Sequence, residues 1–499
     1  MIFNGPEVQI RSETLATLKL SPKPADLQRV RHTLVVFPRA AALPESLLGR
    51  DLLLATLSRR KEKISDLTKS PVSAAGVDGG LYVWVAFDPE KSTFEQDTLL
   101  CKAVSILLEE HPETLAIELC GEPALRRSMA ECAAYVVWVN GTPLPAQRKD
   151  VDPPLKRFFL CGWAGDLSAV EARAAGNVLT RYLTSLPPND LTPAVYRKRI
   201  KRMARDEGWE IEEFDLARLQ KMGAGAFLAV AQGSGEQDAA IVRVSYTPKR
   251  ARGTVALVGK GICFDTGGHN LKSAKSMAGM HEDMNGSAVA LGLLLAASRQ
   301  KLPLRLDVWL AVAQNHLSPQ AYKQGDIVRA LNGTTIEVVH TDAEGRMVLA
   351  DTLSLASKGV VEKPDLIIDF ATLTYDMIVA LGTRYCGIFA SDATLAHDAV
   401  AAGVSSGERI CAFPFDADYE TDLESKVADI KQCSLEGEAD HILAACFLKR
   451  FVGDRPWLHV DLSAASNEDG LGAVASEQTG FGVGWGLELL KRRLTVGAG

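Results

Sequence analysis

Apolar residues in this chain follow two kinds of pattern, and the change between them falls near residue 190. Beyond it, short unbroken apolar runs recur at Thr254–Val258, Leu304–Val312, Asp365–Ala371 and Trp457–Leu462. Runs this short and this apolar predict strands buried on both faces. Between them lie segments with apolar residues at helical spacing, Ser287–Arg299 among them. Strands alternating with helices predict a largely parallel sheet covered on both sides. Ile327–His340 reads differently, because Asn332-Gly333 separates two β-rich runs and so predicts a hairpin. Ligands of open α/β sheets sit beyond the carboxyl ends of the strands, so chemistry is expected where these runs stop.

Before residue 190 the pattern predicts a smaller α/β unit. His32–Phe37 and Ala134–Val139 read as strands, and Gln96–Glu110 reads as a helix. Two boundary signals follow. Arg148–Lys156 is polar and contains prolines, and the prolines of Leu186–Pro193 break a helical pattern that begins near Ser168. The expected division is therefore 1–165, a helical and Pro-rich connection over 166–192, and 193–499. The chain has no internal repeat and no low-complexity segment.

Composition narrows the function classes. At 499 residues, 47% hydrophobic and 23% charged, the chain has enough apolar residues for a full core. A net charge of −7 gives no electrostatic reason to expect nucleic acid as a partner. The local basic run Tyr196–Arg205 reads as a solvated helix face. Residues Met1–Leu15 lack the basic start, apolar stretch and cleavage site of a leader. The most apolar stretch, Ala288–Ala297, is well short of the ~20 residues that span a bilayer. Nine scattered cysteines without a C-x-x-C pair predict reduced thiols in a cytoplasmic protein, with no thiolate zinc site.

Two strand exits are loaded with charge. After Thr254–Val258 come Lys260, Asp265, the pair Gly267-Gly268, Lys272 and Asp283. After the hairpin, Asp342, Glu344 and Arg346 occupy alternate positions, and an extended loop would point all three the same way. Carboxylates converging in a dry cleft repel unless cations neutralise them. Divalent metal ions do this, and bridging carboxylates hold them in pairs. Each piece also has a plainer reading. Asp265 with two glycines is a turn, and a lysine after a strand is a surface residue. Asp342 and Glu344 could cap a helix starting near Met347, with Arg346 as their ion-pair partner. Spacing alone leaves both readings open.

Taken in order, the motifs become recognisable. TDAEGR, between a hairpin and an apolar helix ending in LAD, resembles the signature of the leucyl aminopeptidase (cytosol aminopeptidase) family. GKGICFDTGG, with Lys272 and Asp283 downstream, is similar to that family's metal-binding segment. LPPNDLTP, GAGAFLAVAQGS, DFATLT and SKVADIK agree as well, so the resemblance covers about residues 175–490. It implies a two-domain α/β protein, with a smaller N-terminal domain and a larger catalytic domain built on a central, mostly parallel sheet flanked by helices. The first 165 residues carry no comparable motif, and their macro-like character is implied by position only.

The resemblance implies a metalloaminopeptidase that acts on short peptides with a free N-terminus, assembled as a homohexamer. One divalent ion, Zn²⁺ or Mn²⁺, would lie on Asp265, Asp342 and Glu344, with the Asp342 carbonyl as a further ligand. A second would lie on Lys260, Asp265, Asp283 and Glu344. Lys272 would stabilise the oxyanion, and Arg346 would hold a bicarbonate that passes a proton from water to the leaving amine. Met280, Thr372, Leu373 and Tyr375 would line the pocket for the first substrate side chain.

The chain departs from the family pattern at several points. His340 stands where Asn is usual and is expected to keep a supporting hydrogen bond as a donor. Asn285 replaces a glycine, Tyr375-Asp376 replace Gly-Ala, and Asp440-His441 replace small residues. These changes predict a narrower or more polar pocket, so a preference for leucine is not implied. A regulatory or DNA-binding protein on the same fold is the competing reading, and the complete set of charged site residues favours the enzyme. A serine hydrolase lacks its G-x-S-x-G elbow here, and Cys263 is expected to be packing in a strand.

Overall fold

The computed structural model describes residues 15–77, 79–149 and 151–496. Most of the N-terminal stretch read for a leader, residues 1–14, lies outside the described residues.

Two large sheets carry the chain. The first has six strands in the order Thr17–Leu20, Arg157–Cys161, Thr114–Leu119, His32–Pro38, Leu81–Phe87, Val72–Ala75, all parallel except the last pair. The expected helix near Gln96–Glu110 is present as Thr93–Leu108, opened by Ser92, whose hydroxyl accepts from the Glu95 backbone N–H. The expected strand Ala134–Val139 is not one. It lies inside the helix Pro123–Asn140, which is buried continuously from Ala133 to Val139. This helix is packed by the helices Thr93–Leu108 and Ser168–Thr184, so apolar residues fill every side of it. A short apolar run cannot separate a buried strand from a helix buried all round.

The second sheet has eight strands in the order Ile410–Ala412, Cys386–Ala390, Trp457–Asp461, Leu366–Ala371, Thr254–Asp265, Arg305–Asn315, Ala240–Tyr246, Glu210–Asp215. Its centre is parallel, as the alternation predicts, and antiparallel ladders join strands on either side of that centre. The helix Asn285–Arg299 covers one face and packs on Ser168–Thr184, while Glu344–Lys358 lies in the other core cluster. Ala288–Ala297 is indeed a buried helix interior, and no described helix is long and apolar enough to cross a membrane.

Among the described residues, Arg148–Lys156 forms neither helix nor strand, with Asp150 outside them. Pro193 is the first residue of the helix Pro193–Glu207, capped by the Thr192 hydroxyl. This helix buries Tyr196, Ile200 and Ala204 at four-residue spacing and leaves Lys198, Lys201 and Arg205 exposed. The hairpin forms as expected, with Ile327–Arg329 paired to Thr335–Glu337 around Asn332-Gly333. All nine cysteines are free thiols, and Cys263 is packed in its strand.

Candidate active site

The strand carrying the first charged group does not stop at Val258. It runs through to Asp265 along the centre of the eight-stranded sheet, so Lys260 is a mid-strand residue, 3% exposed, and no surface lysine. The backbone leaves the strand at Gly267, whose φ of +85° suits glycine. A Cβ there would come within 2.8 Å of an Asp342 carboxylate oxygen, so the turn is also the point where the second charged loop approaches.

That loop is not extended. Thr341 and Asp342 form a turn, and the helix begins at Glu344, with no side-chain cap at Ala343. The alternation of Asp342, Glu344 and Arg346 therefore does not place three side chains together. Asp342 and Glu344 turn toward the strand, and Arg346 goes elsewhere.

Two lysines sit among four carboxylates. Lys260 Nζ is 2.8 Å from Asp283 Oδ1 and 2.9 Å from Glu344 Oε1. Lys272 Nζ is 2.9 Å from Asp265 Oδ2 and 2.7 Å from Asp342 Oδ1. Carboxylate oxygens of Asp265, Asp342 and Glu344 all lie within 4.8 Å of one another, the spacing of a metal-binding group. Lys260 links Asp283 to them and also donates to the Thr372 carbonyl (3.0 Å).

The electrostatics show that two ammonium groups are not enough. Burial pushes the carboxyl pKa values of Asp283, Asp342 and Glu344 up, and repulsion from neighbouring carboxylates adds to it. Burial works against the charge on Lys260 and Lys272, yet the surrounding acids outweigh it and hold both above the ordinary lysine value. Asp283 Oδ2 is buried with no hydrogen-bond partner. Four converging carboxylates with excess negative charge and an unpartnered oxygen fit divalent cations.

Residues that motif spacing did not single out hold this group in place. Asn315 Nδ2 donates to Asp265 Oδ1 (2.8 Å), to the Thr341 carbonyl (3.0 Å) and to Glu344 Oε2 (3.4 Å). It pairs in register with Asp265 on the neighbouring strand. The rule that chemistry lies where strands stop could have found it. Thr341 ties the two loops, donating to the Gly267 carbonyl and accepting from the Asn270 backbone N–H. Asp461 accepts from the Leu373 N–H (3.2 Å) and the Thr374 hydroxyl (2.6 Å), and Thr372 donates to Asp283 Oδ1 (2.7 Å). Of the expected pocket residues, Thr372 and Leu373 are thus fixed at the cluster's edge, Met280 is half-buried, and Tyr375 is exposed.

His340 supports the loop in the opposite sense from the one expected. Its Nδ1 accepts from the Asp342 N–H at 3.2 Å, and its own N–H donates to Gln432 Oε1 at 3.1 Å. Arg346 pairs with neither Asp342 nor Glu344. Its Nη1 donates to the Gln432 carbonyl and its Nη2 to both oxygens of Asp440.

With this geometry in hand, comparison with known proteins is direct. The model of the cytosol aminopeptidase family, catalytic domain, matches residues 178–485. The chain belongs to the cytosol aminopeptidase family. A probable cytosol aminopeptidase of Methylorubrum extorquens is 40% identical over 327 residues, 65% of this chain and 64% of that protein. The aligned stretch thus spans a little less than two thirds of that relative's length. One from Chlorobaculum tepidum is 37% identical over 353 residues, 69% of each chain. Among solved structures, the bottromycin maturation enzyme BotP in complex with Mn is similar over 93% of this chain and 99% of its own, with 31% identity and a TM-score of 0.80. A tomato leucine aminopeptidase superposes over 96% of each chain with a TM-score of 0.82 and 26% identity. The likeness of fold therefore extends to the first sheet, where no motif was legible.

Proposed function

We propose that this cytosol aminopeptidase family member is a metalloaminopeptidase that removes the N-terminal residue of short peptides using two divalent ions, Mn²⁺ or Zn²⁺. The observation that carries the proposal is the buried group of four carboxylates facing two lysines, with Asp283 Oδ2 unpartnered. Manganese is supported by BotP, solved in complex with Mn. Asp265, Asp342 and Glu344 would hold one ion, and Lys260, Asp283 and the shared Asp265 and Glu344 the other. When bound, the ions supply an activated water and polarise the scissile carbonyl.

The chain's own residues do the rest. Lys260 would serve as a ligand in its neutral form, because metal binding displaces the proton its acidic neighbours now hold. Lys272, freed from Asp265 and Asp342, would turn its charge toward the carbonyl oxygen as that oxygen becomes negative. Asn315 fixes Asp265 and Glu344 against rotation, so the carboxylates do not reorganise during the reaction. Tyr375 and Asp376, at the start of the helix Tyr375–Leu381, would narrow or polarise the pocket lined by Met280, Thr372 and Leu373. Family membership supports a homohexamer in the cytoplasm.

Bicarbonate, implied on Arg346 by family resemblance, does not fit beside Asp440. One guanidinium charge is already balanced by a carboxylate at 2.7 Å. A second anion would meet that carboxylate with only Nε left unpartnered to bind it. No proton step is assigned to bicarbonate.

The test is a chelated and reloaded enzyme on a panel of aminoacyl amides. Activity should vanish with chelation and return with Mn²⁺ or Zn²⁺. Asp342→Ala should lose about 10²-fold or more, the scale set by disturbed metal ligation. Full activity in Asp342→Ala, or leucine amide hydrolysed as fast as small and polar amides, would overturn the site and the pocket reading respectively.

A further inference from the structure

Arg346 and Asp440 form a built pair. Arg346 is 2% exposed and is gripped by the Gln432 carbonyl at 3.1 Å and by both Asp440 oxygens at 2.7 and 2.9 Å. Asp440 begins the helix Asp440–Lys449, and its backbone N–H donates to the Asp376 carboxylate at 2.9 Å. The residue is therefore fixed between two helix starts, one of them following the loop of Thr372 and Leu373. Its side chain is 31% exposed while the guanidinium is buried, so the anion faces open space with the cation behind it. Gln432 ties the pair to the carboxylate loop, its carbonyl accepting from Arg346 at 3.1 Å and its side-chain oxygen from the His340 backbone N–H at 3.1 Å.

A carboxylate and a bicarbonate offer an arginine the same chemistry: one negative charge spread over planar oxygen acceptors. They differ in how they arrive. A dissolved anion must be captured from solution, whereas a tethered one acts at an effective concentration on the order of millimolar or higher. A tethered carboxylate already seated on Arg346 excludes the free one.

We propose that Asp440 is the built-in anion of Arg346, replacing dissolved bicarbonate as the proton carrier of peptide hydrolysis. This rests on the aminopeptidase reading above. The carboxylate takes one proton from the attacking water as its oxygen bonds to the carbonyl carbon and the C=O π pair moves onto oxygen. It returns that proton to the amine nitrogen as the C–N bond breaks, and the protein ends as it began. Arg346 keeps the carboxylate aimed between turnovers.

The experiment uses the full-length metal-loaded enzyme in carbonate-free buffer and in buffer with added bicarbonate. Wild-type kcat should be the same in both. Asp440→Ala should lose about 10²–10⁴-fold in kcat, the worth of a positioned proton carrier, with KM little changed. Bicarbonate should restore about tenfold or more of that loss, because removal of the side chain frees Nη2 beside Nε. As a readout independent of turnover, ¹³C-bicarbonate should bind Asp440→Ala and not the wild type by NMR line broadening. Asp440→Asn keeps the shape without the charge and carries the test if the alanine variant does not fold. Bicarbonate stimulation of the wild type, or full activity of Asp440→Asn without bicarbonate, overturns the proposal. If the wild type cleaves no substrate in either buffer, the aminopeptidase reading fails instead, and ¹³C-bicarbonate binding to the wild type would still decide against Asp440 as occupant.

Discussion

Gly345 stands between two residues with unlike tasks, Glu344 in the carboxylate group and Arg346 on Asp440. In the substitution Gly345→Ala, the new methyl carbon would lie 2.8 Å from Lys260 Nζ and Cε and 2.9 Å from Leu373 Cδ1. A lysine tip normally moves aside at little cost. This one is held by Asp283 at 2.8 Å, Glu344 at 2.9 Å and the Thr372 carbonyl at 3.0 Å. Comfortable separation begins near ~3.5 Å, so the ammonium must retreat by roughly 0.7 Å. Crowding of this kind costs about 1–3 kcal/mol. Alanine recovers up to about 1 kcal/mol of that as a better helix former. The net loss of stability is about 0–3 kcal/mol, so the variant folds. A displacement approaching 1 Å in a reacting group costs on the order of 10²-fold in rate. The expected result is a near-normal melting temperature without metal, a kcat/KM lowered about a hundredfold, and weaker binding of the ion that Lys260 would ligate. Calorimetric metal titration and steady-state kinetics on one preparation measure all three. A kcat/KM within about twofold of wild type, with two metal equivalents at unchanged affinity, would refute the argument that displacing Lys260 disturbs the site.

Two further outcomes follow from buried acids away from the cluster. Asp97 lies among Arg173, Cys132 and Glu408, and burial pushes its pKa from 3.8 up to about 7. Between those values the folded protein holds a proton that the unfolded chain has lost, so stability falls as pH rises from about 4 to about 7, by up to about 4 kcal/mol. In Asp97→Asn that slope is absent, and the variant should gain on the wild type steadily between about pH 4 and about pH 7 in denaturant melts. Parallel curves would sink this reading. Asp351, fully buried, accepts from the Leu331 N–H at 2.6 Å and the Phe227 N–H at 2.9 Å. Asp351→Ala strands both donors at about 1–3 kcal/mol each. The melting temperature should drop and amide exchange at Phe227 and Leu331 should quicken, and an unchanged melt would count against it.

Much of the site was legible before any coordinates. Lys260, Asp265, Lys272, Asp283, Asp342 and Glu344 lie in two short stretches, and a shared need to neutralise acids made them one hypothesis. The strands His32–Pro38, Leu366–Ala371 and Trp457–Asp461 were legible too, because a strand buried on both faces must be apolar throughout. The same rule failed at Ala134–Val139, since a helix buried on all sides obeys it equally. It also ended the strand at Thr254–Val258, because Lys260 and Asp265 look like exit residues until their partners across the sheet are known.

By itself, the sequence determined the α/β class, the order of the central elements and which charged residues compete for cations. These depend on residue type and on spacing along one segment. Only the tertiary structure decided who pairs with whom. Asp342 meets Lys272 across 70 residues of sequence, and Arg346 meets Asp440 across 94. Such partners are chosen by the path of the backbone through the sheet, and no local pattern carries that information. Arg346 is the clearest instance. Its spacing suggested an ion pair with Asp342 or Glu344 and family resemblance implied a dissolved anion, and a helix from a distant part of the chain brought the Asp440 carboxylate instead.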